Sequence, residues 1–439
     1  MKKSAKTQRL QLRITLVLAA FFVIQTVPSL LGDVFDVTDY GAIGDGINDD
    51  TGGIQAALTA SANNGILYFP KGDYLVTGSL ISVSGSVFIE GEGSGTTRVI
   101  LEASGVTLFD LLTDSPEESV TIKDISLENR SAATDNTALK VDYPFTDSTH
   151  KNNSLVAERL HIIATSGYWE KGVVLRHAWN SKFDQCYFTN SEGTKDGDAV
   201  FFEERSVNSH FTDCSFSWWR KGIGINAAIP NAQEGIVITG CTFVPVTFGI
   251  YYDNPSSTDG TLPIWVTLTN SHIDARGDLA ACVYLNPVRV LQISNCNLIV
   301  VSDGPGQYGY CVLANAITSI FNGNAIGETA LPGSPAFQGS GGIVLLGEDN
   351  HLTFDSKETL LIGNTFTNFN SGATVWVQTG ATDNRILYSL FINCTTPIND
   401  QGNNTDIIGN GLSVRERIFA RRIVEPPLYG GRYHLIRGL

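Results

Sequence analysis

Glu203 and Asp253 close two short apolar segments of the same form, AVFFE from Ala199 and GIYYD from Gly249. Successive side chains of an extended strand face opposite sides. If Val200 and Phe202 point inward, Phe201 and Glu203 point outward, and Tyr251 and Asp253 do the same. Aligning the related segments gives one outward column of Val174, Phe201, Gly224, Tyr251, Tyr284 and Leu313. A second column runs Arg176, Glu203, Asn226, Asp253, Asn286 and Asn315. Aromatic faces beside carboxylates, amides and an arginine suit a sugar, which stacks its ring and bonds its hydroxyls directionally. Two strand spacings between Glu203 and Asp253 amount to about 9 to 10 Å, the upper end of the range in which one carboxylic acid protonates a leaving oxygen while a second carboxylate activates water.

Hydrolysis of a glycosidic bond is therefore the first expectation, with Glu203 and Asp253 as the acid and base. Asp196 and Asp198, in NSEGTKDGD, join the catalytic candidates or shape a turn. Arg176, Phe201, Asn226, Tyr251 and Tyr284 are candidates for substrate binding, as are the tandem Trp218 and Trp219 on a turn, read either as an exposed sugar platform or as a lid packed over the coil. A second chemistry is proton abstraction beside a uronate carboxylate, by a lyase or epimerase. It would draw on Arg176, Arg220 and Lys221 to offset the charge and, in a lyase, on Ca²⁺. A non-catalytic carbohydrate-binding or adhesive surface is the third. A polar face that serves solubility alone is the plain alternative.

The elements that must hold these residues form a repeat. FDQCYF at Phe183, FTDCSF at Phe211, ITGCTF at Ile238, LTNSHI at Leu268, ISNCNL at Ile293, FNGNAI at Phe321 and LIGNTF at Leu361 share one pattern, with weaker copies at Ile122 and Ala157. Each is followed, after a turn rich in Gly, Asn and Asp, by a second apolar segment such as GVVLR, AVFFE, GIGIN, GIYYD or CVYLN. Alternation marks strands, and recurrence about every 25 to 40 residues marks stacked supersecondary units. Two strands per coil without helical periodicity predict an all-β chain, a parallel β-helix whose coils bury their apolar positions only against their neighbours. Cys186, Cys214, Cys241 and Cys296 share one slot of the repeat and Cys282 and Cys311 another, so they read as small buried residues. Asn324 and Asn364 continue the first slot as a polar ladder. No C-x-x-C or Cys/His cluster suggests a metal site.

Composition agrees with a large folded chain: 439 residues, 42% hydrophobic, 17% charged, with 44 glycines for turns. A formal charge of -15 excludes a general phosphate-tracking surface, and with it duplex nucleic acid as a partner. Lys2, Lys3, Lys6, Arg9 and Arg13 precede the apolar run from Ile14 to Ile24, which Gln25 and Pro28 interrupt before the roughly 20 residues of a spanning helix. Residues 1–32 are thus expected to be a signal peptide or a membrane anchor, and the protein secreted or at the cell surface, with no membrane contact once a leader is removed. Residues 33–410 form the β-helix. The stretch 411–439, with six arginines, is a cap or tail. In DDTGGIQAALTASANNG a short helix is expected to cover the first coil, capped by Asp49 or Asp50 and burying Ile54, Ala57 and Leu58. Monomer and trimer both remain open.

The stretch FDVTDYGAIGDGINDDTGGIQAAL from Phe35 resembles the opening of the pectate-lyase-like superfamily, which includes polygalacturonases, rhamnogalacturonase/epimerase-like proteins and phage tailspike depolymerases. Its YGA, GDG and DDT elements carry the likeness, and GILYFPKGDYLV from Gly65 looks like the family's first coil. The resemblance implies a right-handed parallel β-helix with a carbohydrate groove on one face, without selecting a reaction. Asp45, Asp49 and Asp50 read as turn and cap residues rather than a catalytic cluster. The polygalacturonase pattern is not met, because a glycine separates Asp196 from Asp198 and His210 lacks flanking glycines.

Overall fold

The computed structural model describes residues 32–412, apart from 63–64, 83–84, 133, 145–153, 194–195, 229–233, 255–264 and 347–355. Residues 1–31, expected to be a signal peptide or membrane anchor, and most of the C-terminal stretch lie outside the described residues. Among those described, 37 strands pair in parallel, and a strand typically bonds to the third before it and the third after it in sequence. The chain is a right-handed parallel β-helix with three strands per coil. No described helix is long and apolar enough to cross a membrane.

The third strand corrects the expectation of two. FDQCYF is not one strand but two, Lys182–Asp184 and Tyr187–Thr189, split at Gln185, whose φ is 52°. Asp213, Gly240, Asn270, Asn295, Gly323 and Gly363 repeat this left-handed turn in later coils. A single such residue turns the chain without disturbing the apolar alternation on either side. The residue after it is the cysteine slot, whose amide is served from the next coil. Cys214 N donates to Cys241 Sγ at 3.4 Å, Cys241 N to Ser271 Oγ at 3.1 Å, and Cys296 N to Asn324 Oδ1 at 2.9 Å. Asn324 N in turn donates to Asn364 Oδ1 at 3.1 Å. The slot thus carries small side chains that can accept a hydrogen bond, which is why Cys, Ser and Asn exchange there.

All seven thiols are free and buried. Hydrogen bonding to the neighbouring thiol, aided by burial, holds Cys214 and Cys241 well above the ordinary thiol range, and burial pushes Cys296 up to about 11. A thiol reagent is expected to label none of the seven until denaturant opens the coils. Labelling at native conditions would contradict the stack.

The helix α1, Thr51–Ser61, buries Ile54, Ala57 and Leu58 over the first coil. Its N-cap residue Asp50 makes no side-chain bond to the helix itself; its carboxylate instead accepts from the amides of Ile43 at 2.6 Å and Gly44 at 3.2 Å. Asp49 accepts from the Thr51 amide at 3.0 Å, and Asp45 from those of Ile47 and Asn48, both at 2.9 Å. All three acids serve the turn and cap.

Candidate functional site

Eight strands carry the face of interest: β1 Trp169–Arg176, β2 Asp196–Phe202, β3 Trp219–Ile225, β4 Thr242–Asp253, β5 Ala280–Ser294, β6 Tyr308–Asn322, β7 Gly339–Leu345 and β8 Ala373–Val377. Their register aligns Val174, Phe201, Gly224, Tyr251, Tyr284 and Leu313 in one row. A second row stands three residues earlier, with Lys171, Asp198, Lys221 and Phe248 in register. Strict alternation would turn these two rows to opposite sides. Between them, however, lies a slot of small buried residues, Gly172, Ala199, Gly222, Gly249, Cys282 and Cys311, where the next coil's backbone comes close. A β-carbon on Gly249, for example, would stand 2.4 Å from the Cys282 carbonyl. The strand bends at this slot, and both rows meet on one side of the corner.

The bend assembles a charged cluster on the aromatic row. Asp198 is only 3% exposed; Lys171 Nζ lies 3.1 Å from its Oδ2 and Lys221 Nζ 3.5 Å from its Oδ1. Each lysine also leans over an aromatic ring one coil along, Lys171 over Phe201 at 4.6 Å and Lys221 over Tyr251 at 4.8 Å. Gly224 makes room for this arrangement, since a β-carbon there would approach Asp198 Oδ2 to 2.9 Å and Lys221 Cδ to 3.3 Å. Burial pushes the Lys221 amine below its ordinary range, Lys171 and the exposed Arg220 push it the same way, and Asp198 opposes them. Tyr251 and Tyr284 stack with ring centres 5.1 Å apart. Burial, reinforced by the charge of Asp253, raises both phenols, so they hold their protons.

The carboxylate pair sits in the expected register, with Glu203, Asn226 and Asp253 on successive coils: the Glu203 amide donates to the Leu175 carbonyl, that of Asn226 to the Phe202 carbonyl, and Asp253 pairs with Asn286. Its members have different surroundings. Glu203, 40% exposed at its side chain, is ion-paired to Arg176 at 3.2 Å. Arg176 also binds Asp142 at 2.8 Å and makes a short contact to Glu204, so it is held by carboxylates rather than presented to a ligand. Asp253 accepts from Asn286 Nδ2 at 3.2 Å and is hydrogen-bonded to Tyr284.

Several expectations are corrected here. Trp219 is 0% exposed and lies inside the coil. Its neighbour Trp218 takes the left-handed turn, φ 64°, and is half-buried, so the two are not a tandem platform. Asn226 bonds to backbone, donating to the Glu203 carbonyl at 2.9 Å and accepting from the Ala228 amide at 3.0 Å. Asn286 and Asn315 are buried rather than outward. Asp196 is exposed, and its carboxylate accepts from the adjacent Gly197 amide at 3.2 Å. Lys171 was missed, although the repeated K-G before an apolar run, KGVVL and KGIGI, marks both lysines. Among the described residues no three His, Cys, Asp or Glu side chains converge as a metal site requires, and the acids nearest the row are engaged by Arg176, the lysines, Asn286 or Tyr284. The donor set does not fit Ca²⁺.

Mannuronan C5-epimerase AlgE5 of Azotobacter vinelandii is 31% identical over 152 residues, covering 30% of this chain and 15% of that protein. Alginate lyase 7 of the same organism is 40% identical over 75 residues, 15% of this chain and 9% of that protein. The chain therefore spans a small part of the curated relatives it matches. The solved A-module of Azotobacter vinelandii mannuronan C-5 epimerase AlgE6 superposes with a TM-score of 0.59 at 15% identity, covering 86% of this chain and 99% of the module, a likeness of fold. The model of the family described as Rhamnogalacturonase A/epimerase, pectate lyase-like matches residues 34–261, just over half of the 439. The chain belongs to that family.

Proposed function

We propose that this protein acts on an acidic polysaccharide, removing the proton from the carbon that bears a uronate carboxylate, as an epimerase or a lyase does. The observation that carries this reading is the pairing of two half-buried lysines on one buried carboxylate beside the aromatic row. With Lys221 neutral, Lys171 and the nearby Arg220 outweigh Asp198 and leave a local positive site on a chain of formal charge -15. That suits a ligand carboxylate, and it offsets the charge that grows there when the neighbouring proton leaves. The names of the relatives point the same way.

In this reading Lys171 receives the uronate carboxylate, and the sugar lies against the exposed edges of Tyr251 and Tyr284, whose faces are taken up by each other and by Lys221. Lys221, whose amine burial brings below its ordinary range, takes the proton in its neutral form from the carboxylate-bearing carbon, and the electron pair left behind spreads into the carboxylate. Tyr251 then gives up its phenolic proton. Delivered to the opposite face of the same carbon, it inverts the sugar; delivered to the glycosidic oxygen as that bond breaks, it completes an elimination. Asp198 positions both lysines. Export of the protein with loss of its leader belongs to the same proposal. A hydrolytic reading has one observation in its favour, the two-coil spacing of Glu203 and Asp253.

Incubation with a panel of polyuronates and neutral glucans separates these chemistries. Ultraviolet absorbance of unsaturated ends identifies a lyase, and inversion without chain cleavage an epimerase. New reducing ends without unsaturation would overturn the proposal in favour of hydrolysis.

A further inference from the structure

The last described coil is open on its far side. Its strands Thr396–Asp400, Asp406–Ile408 and Gly411–Leu412 each pair with a strand of the coil before, and among the described residues none pairs with a coil beyond. Ile398 and Ile407 stand in register with Val375 and Ile386, which are 0% exposed, yet both are only partly buried. The core thus runs to the end of the stack without a cover. Beside it, Tyr388 is 65% exposed, Leu390 39% and Ile408 36%. The last coil offers glycine where a side chain would shield the first two: a β-carbon on Gly409 would stand 2.6 Å from the Tyr388 ring, and one on Gly411 3.2 Å from Leu390 Cδ1. An uncovered apolar end with three unpaired edges is a template for association, and a solenoid needs that end closed.

The rim of this end is acidic. Asp383, Asp400 and Asp406 are exposed, and between residues 378 and 412 the only cation is Arg385. A second copy meeting this end by two-fold symmetry would set these acids against themselves. The chain's own continuation brings the opposite charge. Residues 413–439, outside the described residues, carry six arginines against Glu416 and Glu425, together with apolar residues such as Ile418, Phe419, Ile423 and Val424. They start from Leu412, on the open coil itself. Arg385 pairs with Asp406 and Leu390 with Gly411, so a coil here takes 21 residues; the 27 that follow Leu412 are enough to cross the end.

We infer that residues 413–439 dock on this end of their own chain, with apolar side chains over Ile398, Ile407 and Tyr388 and arginines against Asp400 and Asp406. The surface is an interface within one chain, independent of the reaction proposed above. It closes the edge on which another chain would otherwise pair.

The test uses the full chain with photoreactive benzoylphenylalanine in place of Tyr388, irradiated and then digested for mass spectrometry. Crosslinks are expected from position 388 to peptides of 413–439 within single chains. Reversing the rim with Asp400→Lys and Asp406→Lys, both at exposed sites, should lower their yield by roughly threefold. Crosslinks between two chains would assign the end to a second copy and overturn the inference, as would the absence of crosslinks to 413–439 or a yield that the reversed rim leaves unmoved. Hydrogen exchange of the unmodified chain avoids any effect of the substitutions on folding. The Asp406 amide donates back to the Asn384 carbonyl at 2.8 Å, so alternation turns the Ile407 amide toward the open side. That amide is expected to exchange at least about tenfold more slowly than an unprotected one; exchange at the unprotected rate would overturn the docking.

Discussion

Replacing Lys221 with methionine is expected to lower turnover of a polyuronate by a factor of about 10² to 10⁴, the range typical of losing a positioned base. The methionine keeps the aliphatic stem over Tyr251, so the melting temperature should move little. The pH dependence gives a sharper reading. Activity should rise with pH as the Lys221 amine loses its proton, because only the neutral amine accepts another. Arg220 lowers this group and Asp198 raises it. Arg220→Gln should therefore move the rising limb to higher pH, and Asp198→Asn to lower pH, with a loss of positioning in the second case. A rate that is independent of pH across this limb, or retained in Lys221→Met, would remove Lys221 from the chemistry.

The largest effect on stability is expected from Phe216→Ala. Phe216 is fully buried and stacked face to face on Phe188 at 4.9 Å and on Phe243 at 4.3 Å, one ring per coil. Truncation leaves a cavity between two rings that the rigid ladder cannot close, so the cost should be about 3 to 5 kcal/mol, read from denaturant unfolding. Tyr187, in the strand next to the Phe216 coil but exposed, is the control. Its alanine variant should stay within about 0.5 kcal/mol of wild type. A loss below about 1 kcal/mol for Phe216→Ala would mean that the stack does not support the coil as described.

What could be read from the sequence followed the range of each physical rule. The row from Val174 to Leu313 and the buried Cys186, Cys214 and Cys241 were legible because strand alternation acts over a few residues and repeats in each coil. The third strand of each coil was hidden, since one left-handed residue such as Gln185 or Asp213 changes direction without altering the apolar pattern around it. The bend at Gly172, Ala199 and Gly222 had a different effect: it places residues three apart on one side, which a period of two forbids. For that reason Asp198 appeared to belong to a turn, and Lys171 went unnoticed. Trp219 shows the converse error. Adjacent tryptophans invite a surface platform, but the left-handed turn at Trp218 starts a strand whose first residue points inward.

Proton removal at the carboxylate-bearing carbon is the step assigned to the Lys171, Asp198 and Lys221 cluster. The most direct measurement is incubation of polymannuronate with the wild-type protein in deuterated water, followed by magnetic resonance of the recovered polymer. The proton on that carbon is expected to be lost, through replacement by deuterium or through elimination, and Lys221→Met to abolish the change. Full retention of that proton, in polymer whose glycosidic bonds are nevertheless being cleaved by the wild-type protein, would contradict it.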